Sequence, residues 1–343
     1  MRRMRVPFLA AAVFCLGFGA SGARAAKELT IFFIDVEGGQ ATLVVSPSGQ
    51  SVLVDTGWRG YDGRDAARIV EVAKKAHLKK IDYVVITHYH RDHVGGVIQL
   101  TRKMKVGAFV DHGPNREDSK VVREDYADYE KTLALADRHI VAKPGDEIPV
   151  KGLTVEILTA DGEHLTAPAP GGGQPNPYCA AATKKEEDPS ENARSVGTLF
   201  TFGKFRFLDL GDLTWNKELA LVCPNNLIGA VDLYLTSHHG LSQSGSPQLV
   251  DAIHPRVAIM NDGARKGGSP SAWQIVKDSP GLEDMWQLHF SIEGGKDHNE
   301  PDPFIANIDE QCEGKYIKVT ALADGSFTVY NSRNKYQKTY PAR

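Results

Sequence analysis

The sequence has little cysteine, and its basic residues do not outnumber its acidic ones. Four cysteines occur among 343 residues, and no two stand close enough along the chain to form a metal-binding knuckle. The 40 basic residues are balanced by 43 acidic ones, so the average charge gives no strong footprint for DNA or RNA. Internal repeats of 20–50 residues are absent too. These absences argue against a thiolate zinc module, a charge-driven nucleic-acid binder and a solenoid.

Long apolar runs are also missing, apart from one near the N-terminus. A basic start with three arginines precedes an apolar segment at residues 8–18, and Ala23-Arg24-Ala25 follows as a small-x-small cleavage pattern. This pattern predicts a signal peptide over residues 1–25, cleaved before Ala26, and a periplasmic or secreted protein. A retained N-terminal anchor is the alternative, but the run is short for a membrane span. After cleavage we expect no membrane span.

Cleavage would make the chain more acidic and leave one large domain. The formal net charge falls from −3 to −7, because residues 1–25 hold four arginines and no acid. Residues 26–343 are enough for a single domain with a sizeable core. Cys179, Cys223 and Cys312 remain, and in an oxidising compartment they allow at most one disulfide.

Strand-type and helix-type patterns alternate along the chain. Residues 81–87 contain the continuous apolar run Tyr-Val-Val-Ile, which is typical of a strand buried on both faces. Ala66, Ile69 and Ala73 follow helical spacing, and Asp62 is expected to cap that helix. Two β-rich halves, each covered by helices, predict an α+β protein with a four-layer αββα sandwich.

One stretch, at about residues 161–194, interrupts this alternation. It contains a Pro- and Gly-rich run at 168–177 and a charged run at 184–188, neither of which can fill a core. We interpret it as a surface insertion within the domain, because parts of one predicted site lie on both sides of it. Whether residues 167–194 close over that site as a lid stays open.

The chemistry is concentrated in residues 87–96. His88, His90, Asp92 and His93 fall within six residues, although the whole chain has only 12 histidines. They directly follow a predicted buried strand, at the end where α/β proteins place their sites. Imidazole and carboxylate groups without thiolate suit an open catalytic site for Zn²⁺, Mn²⁺ or Fe²⁺.

The motif Thr-His-x-His-x-Asp-His-x-Gly-Gly at these positions is similar to the signature of the metallo-β-lactamase superfamily. Three further segments agree with that family in its order: Val-Asp-Thr-Gly at 54–57, Leu-Asp-Leu-Gly-Asp at 208–212 and Leu-Thr-Ser-His-His-Gly at 235–240. The resemblance implies the αββα fold and two divalent cations, Zn²⁺ first, with Mn²⁺ or Fe²⁺ as alternatives. It also implies that Asp55 supports the metal loop from behind.

The resemblance implies a ligand set as well: His88, His90, Asp92, His93, Asp212 and His239, with Asp212 bridging both metals. Neighbouring residues on a strand point opposite ways, so His238 and His239 are not expected to bind one metal together. In relatives with this doublet the second histidine is the ligand, so the resemblance implies that His238 donates a hydrogen bond in the transition state. Asp92 is also expected to accept a proton. The family's third histidine for the first metal is missing, and Asn192 and His164 are the two candidates for that place. Otherwise His88, His90, Asp212 and water hold that metal, which should then bind more weakly.

Within the superfamily the chain most resembles the soluble domain of ComEC-like competence proteins. Residues 35–41 resemble their Asp-Val-Gly-Gln-Gly-Asp-Ala opening, although Gln40 replaces the Asp, and Leu241 replaces the Ser usual after His-His-Gly. The resemblance implies an exported hydrolase in which a metal-activated hydroxide attacks a phosphodiester. The alternatives are hydrolysis of a lactam, lactone or thioester, and a non-catalytic metal-binding envelope module.

Residues near the motifs allow further expectations. His112 is expected either to contact the substrate or to cap a turn, and Tyr89 is expected to pack inward. Trp58 and Arg59 are placed to approach the mouth of the site, although packing is the commoner role for such a pair. Four histidines show no partner pattern and are not expected to form a site: His139, His254, His289 and His298.

Overall fold

Residues 28–343 of the computed structural model are described, and they fold around two large β-sheets. The predicted signal peptide therefore lies outside the described residues. Within residues 28–343 no helix has the length and apolar character needed to cross a bilayer.

The first sheet has nine strands in the order β19-β18-β17-β1-β2-β3-β4-β5-β6. Strands β3 to β6 run parallel to one another, and the other neighbours are antiparallel. Its strands are β1 Leu29–Phe33, β2 Thr42–Val45, β3 Ser51–Val54, β4 Lys80–Val85, β5 Lys105–Asp111, β6 Arg138–Val141, β17 Ile317–Ala321, β18 Phe327–Asn331 and β19 Gln337–Tyr340.

The second sheet has eight strands in the order β16-β15-β14-β13-β11-β10-β7-β8. Strands β11 and β13 to β16 are parallel. Its strands are β7 Thr154–Ala160, β8 Glu163–His164, β10 Gly197–Phe202, β11 Phe205–Asp209, β13 Leu233–Leu235, β14 Val257–Met260, β15 Asp284–His289 and β16 Ile305–Asn307. A separate pair is formed by β9 Gln174–Pro175 and β12 Asn225–Asn226.

Helices cover the outer faces of both sheets. They are α1 Arg64–Lys75, α2 Arg91–Val94, α3 Val97–Thr101, α4 Lys120–Leu133, α5 Trp215–Val222, α6 Pro247–Ile253 and α7 Pro270–Lys277. Short 3₁₀ turns lie at Tyr61–Gly63, Pro177–Ala181, Glu191–Arg194, Ser237–Gly240 and Asp302–Phe304.

Alternation along the strands builds the layers. In β1, Ile31 and Phe33 point into the core between the sheets, whereas Phe32 packs under the helices. The central core also receives Phe200 and Phe207 from the second sheet. Side chains at successive strand positions face opposite ways, so one strand serves two layers. The predicted four-layer αββα sandwich is confirmed.

Several local predictions need correction. Asp62 does not cap α1, because its backbone is left-handed (φ 51°) and Gly63 occupies the N-cap position. Residues 91–101 form two short helices, α2 and α3, and not one continuous helix. Strand β6 carries no clear pattern in the sequence, because it is exposed and has no buried residue.

The insertion at 161–194 is fastened to the second half of the chain. Cys179 forms a disulfide with Cys223, next to the end of α5, and Cys312 is free, so a single pair bridges within residues 28–343, as expected. The side-chain amide of Asn176 donates to two backbone carbonyls, those of Val222 and Gln248. The insertion is therefore an ordered excursion with its own ties to α5 and α6.

A buried polar contact joins the two sheets beside the strand ends. The amide nitrogen of Gln40, in the β1–β2 loop, donates to both carboxylate oxygens of Asp209 at the end of β11, at 3.0 and 2.9 Å. Burial raises the pKa of Asp209 to about 7. The backbone of Gln40 also donates to the carbonyl of Asp92 and accepts from Gly57. An Asp at position 40, as in the family's opening, would bring a second carboxylate towards Asp209.

The Gln40–Asp209 contact predicts a strong effect of the isosteric change Gln40→Glu. It should lower the free energy of unfolding by about 2–3 kcal/mol at pH 8, because two buried carboxylates would then face each other without a donor. At pH 5.5 the loss should be smaller, since one of the pair can hold a proton. Urea unfolding of chelator-treated protein at both pH values measures this. Gln337→Glu, on the exposed part of β19, is the matched control, and equal midpoints for Gln40→Glu and the parent at pH 8 would refute the prediction.

Candidate metal centre

The candidate site lies where the parallel strands of both sheets end. Asp55 follows β3 and residues 88–93 follow β4 in the first sheet. Asp212 follows β11, and the histidine doublet 238–239 follows β13 in the second sheet. Because the carboxyl ends of parallel strands meet at one edge, residues from distant parts of the sequence come together there.

The first group of ligand atoms belongs to His88 and His90. His88 Nε2 and His90 Nδ1 lie 3.1 Å apart. The outer nitrogen of each ring has an oxygen partner: Thr87 Oγ1 is 3.0 Å from His88 Nδ1, and Glu117 Oε2 is 2.9 Å from His90 Nε2. Such outer partners fix the tautomer and direct the inner nitrogens of the two rings towards one point.

The second group consists of His93, His239 and Asp92. His93 Nε2 and His239 Nε2 are 3.2 Å apart, and each lies 3.2 Å from Asp92 Oδ2. The outer nitrogen of His93, Nδ1, is 2.7 Å from Asp55 Oδ2. All three ligand residues are buried.

Asp212 lies between the two groups. Its Oδ2 is 3.9 Å from His88 Nε2 and 3.1 Å from His93 Nε2, while its Oδ1 is 3.4 Å from His239 Nε2. One carboxylate therefore reaches toward both groups.

Burial and neighbouring charged groups shift the pKa values of the predicted ligands. Burial raises the pKa of Asp92 and of Asp212, but neighbouring imidazoles, and Lys266 in the case of Asp92, lower both pKa values well below the usual range. Burial and the nearby His93 and His90 lower the pKa of His88 well below its usual value. For His93 burial opposes the charged form, yet Asp212, Asp92 and Asp55 raise its pKa well above the usual value.

These residues fit divalent cations. Two imidazole nitrogens bound to one Zn²⁺ at about 2.0–2.1 Å lie a little over 3 Å apart, close to the separation within each histidine pair. Asp212 Oδ1 is buried and has no hydrogen-bond partner within the described part of the chain. A buried acceptor of this kind is costly unless something positive meets it. The donor set of imidazoles and carboxylates also suits zinc, manganese or iron.

The predicted ligands come together, but the expectation that His238 and His239 lie on a strand is wrong. His238 and His239 lie on the 3₁₀ turn Ser237–Gly240, both with positive φ, and not on a strand. His239 still enters the second group, while His238 Nε2 stands 3.4 Å from Asp212 Oδ2. Burial is the main reason why the pKa of His238 falls to about 4, so its imidazole is neutral at pH 7.

The two candidates for a third ligand of the first metal differ. Asn192 Oδ1 is buried and has no hydrogen-bond partner among residues 28–343. His164 lies on β8, opposite Thr159, and no hydrogen bond ties it to the ligand groups in the described structure. Of the two, only Asn192 thus presents a buried oxygen without a partner in the described residues.

Other expected residues take structural roles. His112 is buried and its Nε2 lies 2.8 Å from the Glu191 carboxylate, so this ring nitrogen pairs with a side chain and does not cap a turn. Tyr89 packs inward, as expected. Arg59 is paired with Asp125 and Asp128, away from the ligand groups.

The sequence did not predict the contacts of three side chains: Glu117, Lys266 and His289. Glu117 orients His90, and Lys266 contacts Asp92 Oδ2. His289, expected to be an isolated histidine, is buried against Asp35, with its Nε2 2.7 Å from Oδ1, and Cys312 lies beside them. No spacing signal links these residues to their partners along the sequence.

Known proteins resemble this chain over much of its length. Residues 34–181 match the family described as the metallo-beta-lactamase superfamily. Recombination protein 2 of Haemophilus influenzae is 24% identical over 232 residues, which are 67% of this chain and 24% of that protein. ComE operon protein 3 of Bacillus subtilis is 23% identical over 255 residues, 69% of this chain and 29% of that protein. The chain thus spans only about a quarter of these two relatives.

Two other similarities complete the comparison. A hydroxyacylglutathione hydrolase of Rhodopseudomonas palustris is 28% identical over 104 residues, 30% of this chain and 34% of that protein. The solved metallo-beta-lactamase fold protein YhfI of Bacillus subtilis aligns over 76% of this chain and 96% of that chain, at 12% identity and a TM-score of 0.47. Residues 34–181 thus match the metallo-beta-lactamase superfamily, and the homologues of the chain include the ComEC-like proteins named Recombination protein 2 and ComE operon protein 3.

Proposed function

We propose that this protein is an exported hydrolase that uses two divalent cations to cleave a phosphodiester. Zn²⁺ is the preferred cation. The position of Asp212 carries the proposal, because its carboxylate reaches both histidine groups and so suits a pair of cations. His88, His90 and Asp212 would hold one cation; Asp92, His93, His239 and Asp212 would hold the other. When bound, such cations activate water for attack at neutral pH and stabilise charge on the substrate.

The chain's own residues would support this reaction from fixed positions. His238 is neutral, and its Nδ1 lies 3.3 Å from the Ser244 hydroxyl. If that hydroxyl donates to Nδ1, the ring proton sits on Nε2, on the side of Asp212 Oδ2. His238 Nε2–H would then donate to the oxygen that gains negative charge in the transition state. Asp92 is the proposed acceptor of the proton that the attacking water loses.

Substitutions of the neighbouring His238 and His239 should have different effects, one on turnover alone and the other on metal binding. His239→Ala should lose about one equivalent of Zn²⁺ and its activity, because it removes a ligand. His238→Ala should keep both equivalents and lose about 100-fold in kcat, the usual effect of removing one transition-state donor. Zinc content by mass spectrometry and single-substrate kinetics measure these effects.

His77→Ala, on an exposed turn after α1, is the matched control and should change neither value. The assignment is overturned if His239→Ala keeps full zinc, or if His238→Ala loses it.

The phosphodiester assignment rests on the relatives of the chain. The ComEC-like homologues align over 67–69% of this chain. The absence of the third histidine expected in β-lactamases weakens the lactam alternative. Thioester hydrolysis is the second candidate, since a hydroxyacylglutathione hydrolase matches 30% of the chain.

A substrate panel distinguishes these reactions. Zinc-loaded protein should hydrolyse bis-p-nitrophenyl phosphate with a higher kcat/KM than nitrocefin or a hydroxyacylglutathione thioester. Asp212→Asn, which weakens the shared carboxylate, is the negative control for each assay. Faster thioester or nitrocefin turnover would favour the corresponding alternative, and metal-free, inactive protein would favour a non-catalytic module.

Export is supported by the disulfide that fastens the insertion. Cys179 and Cys223 are paired across 44 residues, and such bonds persist mainly in oxidising compartments. The full chain expressed in a Gram-negative host should appear in the periplasm with Ala26 as its first residue. Ala25→Gln, which spoils the small-residue cleavage position, should keep a higher mass. Full-length, cytoplasmic protein from the parent sequence would contradict export.

A further inference from the structure

Lys266 is the basic side chain most directly engaged with the candidate metal centre. Its Nζ contacts Asp92 Oδ2, the oxygen that also lies 3.2 Å from His93 Nε2 and His239 Nε2. The ammonium also lies over the Trp58 ring, 5.1 Å from its centre, and the side chain is 30% exposed. Lys266 thus stands between the second ligand group and solvent.

The loop that carries Lys266 is held firmly. Gly263 N donates to Lys266 O, and Gly268 N donates to the carbonyl of His239. The hydroxyl of Ser291 donates to the carbonyls of Gly267 and Gly268. A Cβ on Gly267 would approach His239 O to 2.3 Å, so the loop lies directly against the ligand-bearing turn. The backbone of Lys266 is therefore fixed relative to His239, while its four-carbon stem can swing.

The nearby arginines are committed elsewhere. Arg59 and Arg91 both pair with Asp125, and Arg64 pairs with Glu37 and Asp65. None of these carboxylates belongs to the ligand groups. Lys266 differs, because the carboxylate that it contacts is itself a predicted metal ligand.

We propose that Lys266 exchanges partners: it neutralises Asp92 in the cation-free protein and binds an anionic phosphate oxygen of the substrate once a divalent cation takes Asp92. A cation on Asp92 Oδ2 repels the ammonium from that oxygen. The face of Trp58 keeps the released ammonium at the mouth of the site. There it can form a charge-assisted hydrogen bond with a phosphate oxygen. Only the substrate class in this inference rests on the proposed function.

Equilibrium binding tests both halves of the exchange without turnover. In chelator-treated protein, Lys266→Met should bind Zn²⁺ at the Asp92 group about tenfold more tightly, because the competing ammonium is gone. In zinc-loaded protein the same variant should bind phenylphosphonate about tenfold more weakly, while Lys266→Arg keeps most of that affinity. Competition with a chromophoric chelator gives the first value and calorimetry gives the second.

Lys318→Met is the matched control, since Lys318 also lies over an aromatic ring, that of Tyr330, but sits on β17. It should change neither affinity. Tighter Zn²⁺ binding by Lys266→Met with unchanged phenylphosphonate binding would overturn the proposal, because Lys266 would then be a counter-ion only. Unchanged Zn²⁺ affinity would overturn it as well. Failure of the diester assay would refute the proposed substrate and leave these binding measurements valid.

Discussion

The candidate site depends on one buried carboxylate, that of Asp55. Its Oδ1 accepts from the backbone N–H of Thr87, and its Oδ2 accepts from the Thr87 hydroxyl and faces His93 Nδ1, at 2.7 to 2.8 Å in each case. A fully buried carboxylate is costly unless every acceptor site is met, so these contacts hold the end of β3, the end of β4 and the metal loop in one arrangement. The positive φ of Asp55, 62°, shows that the backbone accepts an uncommon conformation to place this group. With Nδ1 committed to Asp55, His93 presents Nε2 to His239 and Asp92.

The same constraint explains why the motifs contain glycine. A Cβ on Gly96 would approach Thr56 O to 2.1 Å, and a Cβ on Gly39 would approach Asp92 O to 2.4 Å. Gly211, with φ 56°, would meet the Thr87 side chain at 2.9 Å. Four loops, those that follow β1, β3, β4 and β11, therefore pack closely against one another behind the ligands. The close approach removes freedom from the ligand side chains, which a metal site needs because its ligands must converge to within a few tenths of an ångström.

Much of this arrangement was predictable, because it is encoded by residues that are close in sequence. The cluster from His88 to His93 follows a strand with a continuous apolar run at 83–86, and that order alone places imidazoles at a strand end. The partners that orient or neutralise the ligands lie far away along the chain: Glu117 is 27 residues from His90, and Lys266 is 174 residues from Asp92. His289 and Asp35 are separated by 254 residues. Single charged residues in loops carry no periodicity, so nothing local distinguishes them from solvated side chains. The prediction for His238 and His239 was wrong for a different reason. The residues before them are strand-like, but the two histidines themselves lie on a turn and both have positive φ.

The way in which the chain balances its carboxylates bears on how cations enter the site. Asp35 is neutralised by His289 and Arg68, Asp65 by Arg64, and Asp125 by Arg59 and Arg91, all outside the ligand groups. At the ligand groups themselves the positive charge comes from the raised pKa of His93 and from Lys266. A guanidinium cannot lose its proton and binds carboxylate in a rigid fork, whereas an imidazolium can deprotonate and a lysine stem can turn away. The positive groups at the metal centre, His93 and Lys266, can therefore be displaced by an incoming divalent cation. The arginines, whose charge is permanent, pair with carboxylates outside the ligand groups.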